Sequence, residues 1–273
     1  MKKSATYLSY MNSPQVSYKH TTYFDSYDHF LSNYRDKEIT FVEIGVLDGG
    51  SLFMWRDYFG RKARIIGVDL NPDAKKWEKE GFEIFIGSQS DERFWQKFIK
   101  KVGKIDILLD DGGHTYSQQI VTTECLLPHI RDGGIIIIED THTSYMKGFG
   151  DQYFSFIEYV KEHIDKINMR FGPFPKDKAE LRFWSIEVVE SMVAFKVKKE
   201  ATALKSEPIY NIGSSFVAKD FRFEDDNALM SVEKVFNKKR PNMKISLPQL
   251  EDLLSRLKLD DPAAAQKLKN ILK

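Results

Sequence analysis

Two short apolar runs, Ile105–Leu109 and Ile135–Ile138, each end in a pair of acids: Asp110 and Asp111 after the first, Glu139 and Asp140 after the second. Gly112, Gly113 and His114 follow the first pair. Unpaired carboxylates this close repel, and burying one costs several kcal/mol unless something compensates. A divalent cation does so. Carboxylate oxygens with one nearby His and no Cys suit a hard ion, Mg²⁺, Mn²⁺ or Ca²⁺, better than structural zinc. The competing reading gives each acid to a helix cap or a Lys partner. Two pairs at two run ends with a His between them favour a site.

The runs must be strands for the acids to meet. Between them lies one helix length of chain, closed by Asp132-Gly133-Gly134. That is strand, crossover helix, parallel strand. Parallel strands buried on both faces are continuously apolar, as these are. Ligands of open α/β sheets bind beyond the carboxyl ends of the strands, where both acid pairs fall.

The preceding chain supplies more such units. Ile39–Ile44 is a first buried strand running into the glycine-rich turn Gly45-Val46-Leu47-Asp48-Gly49-Gly50, then a helix with Leu52, Trp55, Tyr58 and Phe59 apolar. Such a turn lets backbone approach a ligand at a helix N-terminus. The full dinucleotide fingerprint is absent, because Leu47 holds the position of its second glycine. Arg64–Leu70 is a second strand whose Asp69 either suits a ribose diol, a geometry shared by NAD and S-adenosylmethionine sites, or is a helix cap or turn residue before Asn71-Pro72. Phe82–Ile86 is a third. The loop after it, Gly87-Ser88-Gln89-Ser90-Asp91, offers hydrogen bonds to an adenine edge or a cap for the helix over Glu92–Val102. Met146–Gln152 reads as a loop over a site, Tyr153–Ile167 as an amphipathic helix, and Phe183–Lys198 as two strands joined at Glu190–Ser191. Near the N-terminus Tyr18, Lys19, His20, Tyr23, Tyr27 and Phe30 recur at roughly helical spacing, either as a packed helix or as a substrate cover. Ser246-Leu247-Pro248-Gln249 is a capping box opening a helix, and Asp261-Pro262 starts another. These last helices either pack on their own core or form a subunit contact. A homo-oligomer is the expectation.

Lys and Arg total 41 against 40 Asp and Glu, a net charge of +1, which argues against a mainly electrostatic nucleic-acid partner. No apolar run approaches the roughly 18 residues of a membrane span. The start of the chain has two lysines but no apolar segment of a signal peptide, and a lone Cys125 excludes an intrachain disulfide. A cytoplasmic enzyme with no membrane span fits.

These motifs together resemble a known family: the S-adenosylmethionine- and Mg²⁺-dependent sugar O-methyltransferases of macrolide and aminocoumarin antibiotic pathways. The likeness runs over about residues 18–198 and is carried by FVEIGVLDGGSL, IIGVDLNP, GSQSD, LLDDGGH and IIIIEDTHTSY. It implies an α/β fold, a Rossmann-like class I methyltransferase sheet with helices on both faces over residues 39–199. An N-terminal helical cover (1–38) and a C-terminal extension (200–273) flank it. It implies metal ligation (Mg²⁺ or Mn²⁺) by Asp111, Glu139 and Asp140, with His114 as general base. It puts Glu43, Gly45, Asp69, Gln89 and Asp110 at positions facing S-adenosylmethionine. The acceptor it implies is a small molecule or glycan hydroxyl. Two other readings stand beside it: a non-catalytic S-adenosylmethionine-binding or assembly protein, and an NAD-dependent oxidoreductase.

Overall fold

In the sheet core, both parities of each central strand are apolar, so both faces of the sheet must be covered. The computed structural model, which describes residues 4–151, 153–171, 177 and 179–213, shows how. Five strands run parallel: β1 (Thr40–Ile44), β2 (Arg64–Asp69), β3 (Glu83–Ile86), β4 (Ile105–Asp110) and β5 (Ile130–Glu139). The hairpin β6 (Ser185–Val189) and β7 (Met192–Lys196) closes a seven-stranded sheet in the order β3-β2-β1-β4-β5-β7-β6, with β7 antiparallel to β5. This is the Rossmann-like class I methyltransferase fold expected from the sequence. The chain winds outward from β1 to β3, then returns to lay β4 on the other side of β1. That reversal makes the carboxyl ends of β1 and β4 the natural crevice.

One face of the sheet packs Phe41, Ile65, Ile107, Leu109, Ile135 and Ile137 against α2 (Tyr23–Leu31) and α3 (Gly50–Phe59). The other packs Val42, Ile66, Leu108, Ile136 and Ile138 against α4 (Glu92–Val102), α5 (Tyr116–Leu126) and α6 (Phe156–Asn168). The three helices on this second face each have a cap that the sequence spells out. Asp91 accepts from Arg93 N–H at the start of α4, and Ser155 from Glu158 N–H at the start of α6. Thr115 and Gln118 form a reciprocal capping box on α5.

Two local expectations change. Asp132-Gly133-Gly134 does not stand before β5 but bulges within it: Ile105 pairs with Ile130 and Ile107 already with Ile135. Gly133 takes φ +79° and donates to Val197 O, while Gly134 O accepts from Val197 N–H, which holds the bulge in the sheet. The N-terminal aromatics also do not share one helix. A first helix, α1 (Ala5–Met11), is capped by Asp28 of α2, which accepts from Ala5 and Thr6 N–H. A strap of irregular chain joins it to α2, and Tyr18, Lys19 and His20 lie on that strap. Residues up to Pro208 form one compact unit. The helices expected after Ser246 lie outside the described residues. Among the described residues no helix is long and apolar enough to cross a membrane.

Candidate active site

Beyond the carboxyl ends of β1, β2, β4 and β5 lies a cleft of about 430 Å³. One side is lined by Gly45, Leu47, Asp69, Leu70, Ser88 and Gln89, the acidic side by Lys19, Tyr23, Asp111, His114, Glu139 and Asp140.

The glycine turn is built for close approach. Gly45 has φ +90°, and a Cβ there would stand 2.1 Å from Asp111 O, so the turns after β1 and β4 touch backbone to backbone. Leu47 is also left-handed, at φ +47°, an uncommon state for a branched side chain. Asp69 braces this turn: Oδ2 accepts from Val46 N–H at 2.8 Å and Leu47 N–H at 3.1 Å, and Oδ1 from Asn71 N–H at 2.8 Å. It therefore lies in the cleft wall while serving the turn.

The structure brings most of the sequence-derived residues together, but at two depths. Glu43 is fully buried beneath the turn, where Ser51 Oγ and Trp55 Nε1 donate to its carboxylate at 2.8 and 3.0 Å. Burial pushes its pKa up to about 7, against the opposing pull of Lys19 and these two donors. Asp110 is likewise buried and pushed up to about 7 by desolvation, although Gln89 Nε2 donates to both its oxygens and Gly112 N–H to one. Gln89 also accepts from Gly113 N–H, so its amide is committed to shaping the Asp110–Gly113 turn. Gln89 thus lines the cleft with its amide committed to the turn, and Asp110 lies behind it.

Asp111, His114 and Asp140 form the exposed part of the acidic side. One ligand atom from each lies within 4.8 Å of the others, an arrangement suited to a metal ion. His114 Nε2 is 3.4 Å from Asp140 Oδ2 and 4.0 Å from Asp111 Oδ1. His114 and Asp140 both adopt left-handed backbone, φ +58° and +54°, and Thr143 Oγ1 ties the two turns by donating to His114 O and Asp140 O. Such strain is retained where surrounding structure fixes it, often at functional sites. Glu139 lies deeper, 1% exposed, and Gln119 Nε2 donates to its backbone carbonyl.

What the motifs do not disclose is how the N-terminal segment meets these acids. Tyr27 Oη donates to Glu139 Oε1 at 2.5 Å and Tyr23 Oη to Asp140 Oδ1. Lys19 Nζ donates to Asp111 Oδ2 at 2.6 Å and to both oxygens of Glu139 at 3.0 and 3.2 Å. Burial alone would lower the Lys19 pKa; Asp111 and Glu139 overcome it and hold the ammonium charged, above the usual lysine value. The spacing Lys19, Tyr23, Tyr27 was the available signal. Its meaning depends on α2 lying across the sheet, which no local pattern states. At the rim, His142 Nδ1 and Tyr23 Oη both bond Ser191 Oγ in the β6–β7 turn.

Residues 42–141 match the family model of a methyltransferase domain. The domain's relatives bear out the resemblance to sugar O-methyltransferases. The chain is 35% identical over 133 residues to mycinamicin VI 2''-O-methyltransferase of Micromonospora griseorubida, covering 46% of this chain and 33% of that protein. It is 33% identical over 139 residues to 8-demethyl-8-alpha-L-rhamnosyl tetracenomycin-C 2'-O-methyltransferase of Streptomyces olivaceus, covering 48% and 36%. The chain thus spans little more than a third of the length of these relatives. Among solved structures, the MycE methyltransferase of the mycinamycin biosynthetic pathway, in complex with Mg and SAH, superposes with a TM-score of 0.65 at 25% identity over 79% of this chain and 57% of that one.

The residues present fit both groups such a domain would use. The wall of Gly45, Leu47, Asp69 and Ser88 is open backbone and small polar surface beside an apolar rim of Leu47 and Leu70, suited to a nucleoside. The donor atoms that converge are those of Asp111, His114 and Asp140, with the Glu139 carboxylate deeper and bridged to Asp111 through Lys19, and carboxylate oxygens of this kind suit a hard divalent cation.

Proposed function

We propose that this protein is a divalent-cation-dependent O-methyltransferase that takes its methyl group from S-adenosylmethionine and acts on a hydroxyl of a sugar or glycosylated small molecule. The observation that carries this is the shared cleft: the wall of Gly45, Leu47, Asp69 and Ser88 and the cluster of Asp111, His114 and Asp140 line one cavity at the crossover of the sheet. The names of the relatives, a mycinamicin VI 2''-O-methyltransferase and a rhamnosyl tetracenomycin-C 2'-O-methyltransferase, and of MycE with Mg and SAH support the same reading.

In this reading Asp69 receives the ribose hydroxyls and Gly45 allows close approach of the cofactor, while Glu43, Gln89 and Asp110 hold the turns that face it. Asp111, Glu139 and Asp140 would hold Mg²⁺ or Mn²⁺. When bound, the cofactor would bring a methyl group already activated by its sulfonium, and the metal would supply Lewis acidity to an acceptor hydroxyl. The chain's own task is to align that hydroxyl and take its proton. His114 Nε2 is the acceptor for it, and Asp140 and Asp111 stabilise the imidazolium that forms at 3.4 and 4.0 Å. Thr143, by fixing the His114 and Asp140 turns together, keeps the ring aimed at the cluster. The cytoplasmic, homo-oligomeric setting expected from the sequence belongs to this proposal, and sedimentation of the full chain checks its assembly.

Calorimetry separates the cofactor classes. S-adenosylhomocysteine should bind and NAD should not. Binding of NAD with no response to S-adenosylhomocysteine would replace this reading with a dehydrogenase.

A further inference from the structure

An ammonium has three N–H donors. Those of Lys19 all go to oxygens of the acids that the proposed function assigns to the cation: Asp111 Oδ2, Glu139 Oε2 and Glu139 Oε1. The Lys19 side chain is 1% exposed, as is that of Glu139. This is more than a chance surface pair. Buried Glu139 and half-buried Asp111, left without a counter-charge, would repel each other, and Lys19 offsets that repulsion from within the chain.

We propose that Lys19 is the resident counter-cation of this centre, and that it and a divalent cation occupy the Asp111 and Glu139 carboxylates alternately. The inference rests on the proposed cation-dependent function. Hard-cation bonds to oxygen are about 2.1–2.5 Å long, so an ion bound to these oxygens would lie at contact distance from an ammonium already bonded to them. Two like charges that close in a buried site repel strongly. Loading the cation therefore expels the lysine.

The surrounding structure lets the side chain leave without unfolding the strap. Tyr10 Oη donates to Ser17 O at 2.8 Å, and Tyr23 N–H donates to His20 O at 3.1 Å. The backbone is pinned on both sides of Tyr18 and Lys19. The four-carbon stem of lysine is flexible, and Lys19 already lines the cleft into which its head would turn. Tyr27 and Tyr23 need not move: each hydroxyl donates to one oxygen of Glu139 or Asp140, fixing those carboxylates for either occupant. Lys19 is in this sense a positioning residue. It keeps the acids gathered while the metal is absent, and it sets the concentration at which the metal takes over.

Amine labelling with acetic anhydride, read by peptide mass spectrometry on the full chain, tests this directly. Lys205, 81% exposed, serves as internal reference. Without divalent cation Lys19 should be protected; at saturating Mg²⁺ or Mn²⁺ its labelling should rise towards that of Lys205. In parallel, Lys19→Met should tighten Mn²⁺ binding by about tenfold or more, the usual scale of coupling between two occupants of one site. Lys19→Arg, which keeps the charge, should stay near wild type. Cation binding that leaves Lys19 protected, or a Lys19→Met affinity equal to or weaker than wild type, would overturn the alternation and leave the proposed function standing. Failure of both wild type and Lys19→Met to bind any divalent cation would instead overturn the metal assignment itself, and the alternation with it.

Discussion

Glu43 gives the sharpest stability prediction, because its environment is fully specified. Its carboxyl is buried, receives hydrogen bonds from Ser51 and Trp55, and has a pKa pushed by burial from 4.5 up to about 7. A folded-state pKa above the unfolded value means that the folded chain binds more protons between the two. Stability contributed by this group is therefore full below about pH 4.5 and is lost as pH rises through 7. The net rise corresponds to about 3 kcal/mol, the cost of desolvating the carboxylate less what Lys19, Trp55 and Ser51 return. Glu43→Gln keeps the shape and an acceptor for Trp55, and cannot ionise. Asp110, also held near 7, contributes the same slope to both proteins, so their difference isolates Glu43. Urea unfolding in chelator-containing buffer from pH 4.5 to 8 should show the variant gaining on wild type by about 3 kcal/mol, with most of the gain complete by pH 7. Parallel curves for the two proteins would refute the reasoning and mean that Glu43 is hydrated or fully compensated.

Three further outcomes follow from the cleft. Asp69→Ala should weaken S-adenosylhomocysteine binding by about 1–3 kcal/mol, the scale for hydrogen bonds to a charged group. It should also lower Tm, since the Val46, Leu47 and Asn71 N–H groups lose their acceptor; a lowered Tm with unchanged affinity by calorimetry would confine Asp69 to the turn. His114→Ala should slow single-turnover methyl transfer by about 10²–10⁴-fold with cation affinity retained, and a drop in Mn²⁺ affinity repaired by excess metal would make the imidazole a ligand instead. Asp111→Asn, Glu139→Gln or Asp140→Asn should greatly reduce turnover in folded protein, as should EDTA, with recovery on adding Mg²⁺; full activity after exhaustive chelation would remove the cation from the account.

The sheet was legible because its strands are buried on both faces. Runs such as Ile135–Ile138 leave little alternative, and the acids at their ends mark where burial stops. The hairpin turn at Glu190–Ser191 was equally plain. The bulge at Asp132–Gly134 was not, because a glycine that takes φ +79° reads the same in a turn as in a bulge, and only pairing with Val197 decides. Within the site, the motifs located Asp111, His114, Glu139 and Asp140 but did not separate cleft from brace. Gln89 carries the polar tip that an adenine edge would use, yet spends it on Asp110 and Gly113. Lys19 was hardest to place. Its partners are 92 and 120 residues away in sequence, and an isolated lysine among tyrosines carries no mark of burial.

The central claim is methyl transfer to a sugar hydroxyl under control of a divalent cation. Its most direct measurement uses S-adenosylmethionine with an isotopically labelled methyl group, the full chain, and a panel of rhamnosyl and deoxyhexosyl glycosides, with products read by mass spectrometry in Mg²⁺ and in EDTA. The account predicts label on a sugar oxygen of at least one glycoside in Mg²⁺ and none in EDTA. Label transferred equally well in both, or found on nitrogen or carbon of the acceptor, would contradict it.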